Sequence, residues 1–346
     1  FAAALGLVLL LLLVGGGYVY RDYAAHFETT DDAYIASRQF SVAPKVAGYI
    51  TAVPVTDNQR VKAGDVIARI DDRDYRTALA QAEGAVSAAQ SGITNIDAQM
   101  KVQQAQVAAS QAQLTQAKAA LTFAQQQAQR YQKLAQRGAG TLQNQQQYDA
   151  QLQQQQAAVQ SAEAAIKVAE RQSGALQAQR ATAVAKLTQA QAQLDQAKLN
   201  LSYTVIKAAQ PGRVVNLTAA VGQYVQPGTA LTMFVPEKVW VAANFKETQL
   251  DHMRPGQPAM VTIDAYPDRQ FHGHVVSIQP GSGTAFSLLP AENATGNFVK
   301  VVQRVPVKIA LDNPPSNLPL GPGMSVEPTV RINAAPSIYE RLKDWL

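Results

Sequence analysis

The chain has 346 residues, more than one hydrophobic core usually organises, so several modules are expected. Its formal charge is +5, but Lys and Arg are dispersed among acidic residues, with no basic run interleaved with aromatics, which excludes a nucleic-acid groove. Cysteine is absent, excluding disulfides and thiolate metal sites.

Phe1 to Tyr20 carries no charge, and Leu5 to Val14 is almost wholly aliphatic. A bilayer-crossing helix needs roughly 20 apolar residues. Residues 1–20 are therefore expected to form a transmembrane anchor, with Leu5, Leu9 and Leu12 in its apolar part and Tyr18 at the interface. Arg21 and Asp22 mark the exit into water. A signal peptide is the rival reading, since the block is short and Gly15 to Gly17 are small; no A-x-A site follows it directly. The first residue is not Met, which sets the expectation of a cytosolic leader before it.

Residues 28–43 read as a linker or the first strand of a barrel, and 44–73 as short strands and turns. From 74 to 203 the chain is one helical tract. Val86, Ile93, Met100, Val107, Leu114 and Leu121 recur every seven residues, as do Leu152, Val159, Ile166, Leu187, Leu194 and Leu201 on a second leg. A sustained heptad of this kind predicts a left-handed coiled coil. Gln103, Ser110, Ser173 and Arg180 interrupt the seam, where the coil should loosen. Arg137-Gly138-Ala139-Gly140-Thr141 ends one helix, and Thr141 can cap the next. Two nearly equal legs about one glycine turn make an antiparallel hairpin, each leg roughly 95 Å long at helical rise. Strands resume over 204–236, a second β-rich module occupies 237–333, and 334–346 is a tail with a short amphipathic turn or helix.

The segments flanking the hairpin resemble each other. Val46-Ala47-Gly48-Tyr49-Ile50 followed by Val61-Lys62-Ala63-Gly64 matches Pro211-Gly212-Arg213-Val214-Val215 followed by Val225-Gln226-Pro227-Gly228. Gly64 and Gly228 hold equivalent turn positions, where a positive φ is plausible. Two such halves make a flattened sandwich of the lipoyl type, here split by the hairpin. The fold class is α+β: anchor, split lipoyl-like sandwich, inserted coiled-coil hairpin, then a β-barrel.

This arrangement resembles the HlyD-like membrane fusion proteins, the periplasmic adaptors. Trp240 to Leu250, Ala285 to Pro290, Asn293 to Phe298, Val302 to Val307 and Thr30 to Tyr34 narrow the resemblance to the EmrA-type multidrug-efflux branch. The resemblance implies a non-enzymatic adaptor in the Gram-negative inner membrane, single-pass, with most of the chain in the periplasm. It implies an inner-membrane major facilitator drug transporter and an outer-membrane channel of the TolC type as partners. It also implies a homo-oligomeric ring, six copies favoured over three, and no cofactor. At the hairpin tip such adaptors carry Arg, Leu four residues on and Ser eleven residues on; Arg130, Leu134 and Thr141 fit that spacing around Gly138, with Thr in place of Ser. Gln223 falls in a loop that can line the central channel in related adaptors, although an ordinary solvent-facing turn explains it too. A type I secretion adaptor would share these modules, but the Asn244-Phe245-Lys246-Glu247 and Phe286 to Pro290 blocks argue against it.

Catalysis finds no candidate: no phosphate loop, nucleophile elbow or HExxH occurs. His272 and His274 share a strand face, and Asp264 or Asp268 could add to them, but a surface strand explains the pair as well. Asp31 and Asp32, if on a strand, point to opposite faces.

Overall fold

The computed structural model describes residues 2–286, 301–315 and 318–343, leaving out the side chains of 2–12, Thr284 and Leu342. The chain opens with helix α1 (Ala2–Ala24) and strands β1 (Phe27–Thr29), β2 (Ala33–Ser37), β3 (Phe40–Val42), β4 (Gly48–Ala52), β5 (Arg60–Val61) and β6 (Val66–Ile70). Helices α2 (Arg73–Gln136) and α3 (Leu142–Ser202) follow. Then come β7 (Val205–Lys207), β8 (Gly212–Val215), β9 (Tyr224–Val225), β10 (Thr232–Pro236) and β11 (Val239–Lys246). The chain ends with β12 (Pro258–Ile263), β13 (Tyr266–Ile278), β14 (Arg304–Leu311), β15 (Val326–Arg331) and α4 (Ile338–Lys343). It divides into two compact units, 71–204 and the remainder.

The helical unit is the antiparallel pair α2 and α3, of 64 and 61 residues, each about 90–95 Å long at helical rise. Burial follows the heptad: Ile93, Leu114 and Ala124 on α2 face Val159, Ile166, Ala169, Ala190 and Leu194 on α3. Two of the expected weak points are packed into the pair. Ser110 is buried, and Gln103 donates from Nε2 to the Ala169 carbonyl at 2.8 Å, a bond from one helix to the other. A seam amide bonded to the facing helix also pins the register. Arg180 reaches across to Asp97 with its guanidinium at 2.6 Å, both side chains part-exposed.

The segments on either side of the hairpin form two four-stranded antiparallel sheets, ordered β3-β10-β8-β5 and β7-β6-β4-β9. Each sheet takes two strands from before the hairpin and two from after it, so neither segment completes a sheet alone. The core is Ile50, Ile67 and Val225 from one sheet with Val61, Val214 and Phe234 from the other. An approximate two-fold relation runs through the turns. Gly64 and Gly228 have φ of 90° and 88°, and their N–H groups donate to Ala208 and Pro44, each in the opposite segment. The β3 strand, expected on the barrel side of the boundary, pairs here with β10.

The barrel strands run in the order β1-β15-β12-β13-β14-β11-β2. A Tyr34–Ser325 bridge and hydrogen bonds between Ile35 and residues Gly323 and Met324 bring β2 beside the start of β15 and close the barrel. Alternation decides the filling: Val241, Ala243 and Phe245 of β11 and Val305, Val307 and Ile309 of β14 point inward and are buried. Between His272 and His274, a Cβ on Gly273 would collide with the Ala310 carbonyl of β14, so close strand approach explains that glycine.

Among the described residues, no helix is long and apolar enough to cross a membrane. The Leu5, Leu9 and Leu12 side chains, the Ser287–Phe298 part of the family blocks, and Trp345 and Leu346 lie outside the described residues. Tyr18 is exposed on α1. The C-terminal end of α1 is held: Asp22 accepts from the Ile338 N–H of α4 at 2.8 Å, and the Tyr23 and Tyr339 rings meet edge-on at 5.5 Å.

Candidate functional site

The hairpin tip is built by a helix-ending motif. Gly138 takes φ of 71°, its N–H donates to Ala135, and the Ala139 N–H reaches back to the Leu134 carbonyl, both at 3.0 Å. This is the Schellman pattern, and it satisfies carbonyls that the last turn would otherwise leave unbonded. Gly140 sits directly over Leu134, where a Cβ would crowd the Leu134 Cβ at 3.2 Å. Leu134 is therefore half-buried and part of the closure rather than a free anchor. Thr141 caps α3, its hydroxyl accepting from the Asn144 N–H at 3.3 Å.

Just below the turn the Tyr131 and Tyr148 rings stack across the two helices, 4.1 Å apart and 14° from parallel. Their hydrogen bond pushes the Tyr148 phenol above its ordinary pKa. What the tip offers outward is charge: Arg130, Lys133 and Arg137 are all exposed, and no acidic residue lies between Arg130 and Tyr148. Leu142, also exposed at 66%, adds one apolar contact point. Lys133, Arg137 and Leu142 were absent from the motif-based reading; their signal is the one-signed charge around a glycine turn.

Gln223 is half-buried, and its side chain is engaged. Its Oε1 accepts from the Ala220 N–H at 3.0 Å, just as Gln59 accepts from Thr56 at 2.8 Å in the related turn of the other segment. The amide holds a turn. Beside it Val221 and Tyr224 are exposed, and Tyr224 packs edge-on against Tyr49 at 5.1 Å.

A second cluster lies at one mouth of the barrel, where β11 and β15 end and β14 begins. Arg304 approaches Asp32 at 3.3 Å and Asp31 at 3.8 Å and donates to the Asn244 carbonyl at 3.1 Å. Asn244 in turn donates to Asp32 from both its backbone and its side chain, and the buried Thr30 hydroxyl donates to the Asn244 carbonyl. Nearby, Gln249 reaches Glu28 and Thr29, and the Glu247 N–H donates to Gln303. Asp31 and Asp32 precede β2, so strand alternation does not separate them; both face one guanidinium. Three sequence blocks widely spaced along the chain thus form one network. The same mouth receives α1, since β1 follows it immediately and pairs Phe27 with Arg331.

His274 pairs with Asp312 at 2.9 Å, and Asp264 and Asp268 do not join it. Among the described residues no group of three or more His, Asp or Glu side chains is placed to hold a metal.

Family models match two parts of the chain: the YBHG alpha-helical hairpin domain over residues 70–203 and the CusB-like beta-barrel domain over residues 238–335. The chain is 37% identical over 324 residues to the "Colistin resistance protein EmrA" of Acinetobacter baumannii, covering 93% of this chain and 92% of that protein. It is 35% identical to the "Multidrug export protein EmrA" of Haemophilus influenzae, covering 94% of this chain and 82% of the relative. The solved "Structure of the periplasmic adaptor protein EmrA" aligns with 88% of this chain and 98% of that one, at a TM-score of 0.42 and 20% identity. Adaptors of this kind are not enzymes. The chain belongs to the membrane fusion proteins, the periplasmic adaptors, in their EmrA-type branch.

Proposed function

We propose that the chain is the periplasmic adaptor of a tripartite drug-efflux pump in the Gram-negative envelope. Its α1 crosses the inner membrane once. The barrel mouth beside α1 meets a proton-driven major facilitator transporter, and the hairpin tip meets an outer-membrane channel of the TolC type. Copies close into a ring through repeated head-to-tail contacts, six favoured over three, because a conduit must have no open edge. The cargo is hydrophobic drugs or toxic amphiphiles.

The observation that carries this reading is similarity along nearly the whole chain to proteins named for colistin resistance and multidrug export. Three physical features support its parts. The uncharged part of α1, Ala2 to Tyr20, is about 29 Å long at helical rise, close to the thickness of a bilayer's hydrocarbon core. Three of the family blocks, from Thr30, Trp240 and Val302 onward, meet at the mouth next to α1, where a membrane partner would be. The tip carries three exposed cations, Arg130, Lys133 and Arg137, against one carboxylate, Asp149 beside Tyr148, which favours a partner of negative potential. Within this scheme Arg130 and Thr141 act at the tip, Leu134 and Gly138 shape it, and Gln223 sets the turn that presents Val221 and Tyr224 toward the channel.

The test is in-cell photocross-linking from two positions. A photoreactive residue at Leu142 is expected to capture an outer-membrane channel, and one at the 86% exposed Asp31 an inner-membrane transporter. Capture of the same partner from both positions, or of neither, would sink the proposal.

A further inference from the structure

Beside β8 and β10, where the sandwich meets the segment leading into β15, lies a cavity of about 570 Å³. That is within the usual range of small-molecule sites, roughly 300–1,000 Å³. One wall is apolar, with Pro314, Pro315, Pro319 and Pro322 around Leu318. Proline's fixed φ presets such a wall, and Leu318 and Leu320 pack against the barrel core, which holds it in place. Met233 and Val235 line the facing side from β10.

The rim is charged and unbalanced. Arg60 and Arg213 lie opposite one another in the β5–β8 register. Arg60 donates to Glu237 at 2.5 Å, and Arg213 donates from Nη1 to the Asn58 carbonyl at 2.7 Å. The Arg60 guanidinium holds the Glu237 carboxyl below its ordinary pKa, so that group stays ionised. Two cations against one anion leave the rim net positive, and a guanidinium has more donors than one carbonyl can use. None of these residues belongs to the tip, the mouth network or α1. An apolar slot with a cationic rim selects a molecule with an apolar body and one anionic head.

We propose that this cavity binds an amphiphilic anion, its tail between Met233 and the proline wall and its head on Arg213. The site goes beyond the adaptor reading, because it makes the chain itself a ligand-binding component. Binding is measured without partner proteins, so failure here leaves the pump reading standing, and failure of pump assembly leaves this site standing.

The experiment labels the full chain in lipid nanodiscs with a diazirine analogue of dodecanoate and maps the labelled peptides by mass spectrometry. Saturable labelling is expected on the peptides carrying Met233 or Leu318. Dodecanoate should displace the label about tenfold better than dodecyltrimethylammonium, as expected for one charge-assisted hydrogen bond. Met233→Trp, which fills the slot, should abolish the label, and Arg213→Gln should weaken it by about tenfold. Thermal unfolding confirms that each variant is folded; if Met233→Trp is not, Arg213→Gln decides. Labelling unchanged in the folded variants, labelling confined to α1, or equal displacement by the ammonium compound would overturn the site.

Discussion

Gly138→Ala at the hairpin tip isolates one physical cost. Gly138 sits at φ of 71°, and a Cβ there would meet nothing within 4 Å, so no steric contact confuses the result. The penalty is the left-handed backbone itself, about 1–2 kcal/mol for an alanine. That energy falls on a local motif: the Gly138 N–H to Ala135 and Ala139 N–H to Leu134 bonds open together. Local opening should therefore rise by roughly 5- to 30-fold, read as faster hydrogen exchange of the Gly138-to-Asn144 peptide. The melting of the hairpin as a whole should hold, because its seam is untouched. Gly138→Asn should recover most of the protection, since asparagine tolerates this conformation. Equal exchange in the alanine variant, or an asparagine variant as fast as alanine, would refute the reasoning. If the tip docks, the alanine variant also loses drug resistance in cells at unchanged abundance.

Gln103→Ala should cost the hairpin about 1 kcal/mol by removing the bond to the Ala169 carbonyl, measured by urea unfolding. Arg180→Leu should be neutral or mildly stabilising, because its pair with Asp97 is solvent-exposed on both sides; a loss as large as that of Gln103→Ala would contradict this. Phe245→Ala should cost the barrel about 3–5 kcal/mol, since the ring is fully buried; a shift below 1 kcal/mol by calorimetry would mean the core is misplaced. The Arg73 hydrogen bonds hold the Asp71 carboxyl at about 2, below its unfolded value. A depressed carboxyl stabilises above the unfolded pKa of about 4 and loses that contribution as pH falls toward 2. An NMR titration of Asp71 with its midpoint near 4 would contradict the pairing.

The hairpin was readable in sequence because a heptad is a local, repeated signal. Of the residues taken as interruptions, Gln103 and Arg180 find partners on the other leg, Ala169 and Asp97, which a search along one leg does not reveal. Asp97 with Arg180, and Tyr131 with Tyr148, stand almost symmetrically about the glycine turn, so reflecting the sequence through that turn would have found both pairs. The two sandwich halves showed themselves as an internal repeat, but a repeat does not say that each sheet takes strands from both halves. Gln223 was named as a channel-lining residue or an ordinary turn residue; its amide holds its own turn, as Gln59 does in the other segment. The mouth network could not be assembled from sequence, because Asp32, Asn244 and Arg304 meet only after the barrel closes. The proline-walled cavity was hidden for the same reason: its cations come from β5 and β8 and its wall from the segment before β15.

The most direct test of the adaptor account is the mass of the intact full-chain complex, solubilised from membranes that co-express the neighbouring transporter. The account predicts a closed ring of the chain carrying a many-helix transporter that contains no ATPase subunit. A monomer that retains no membrane partner would contradict the conduit, whatever the fold.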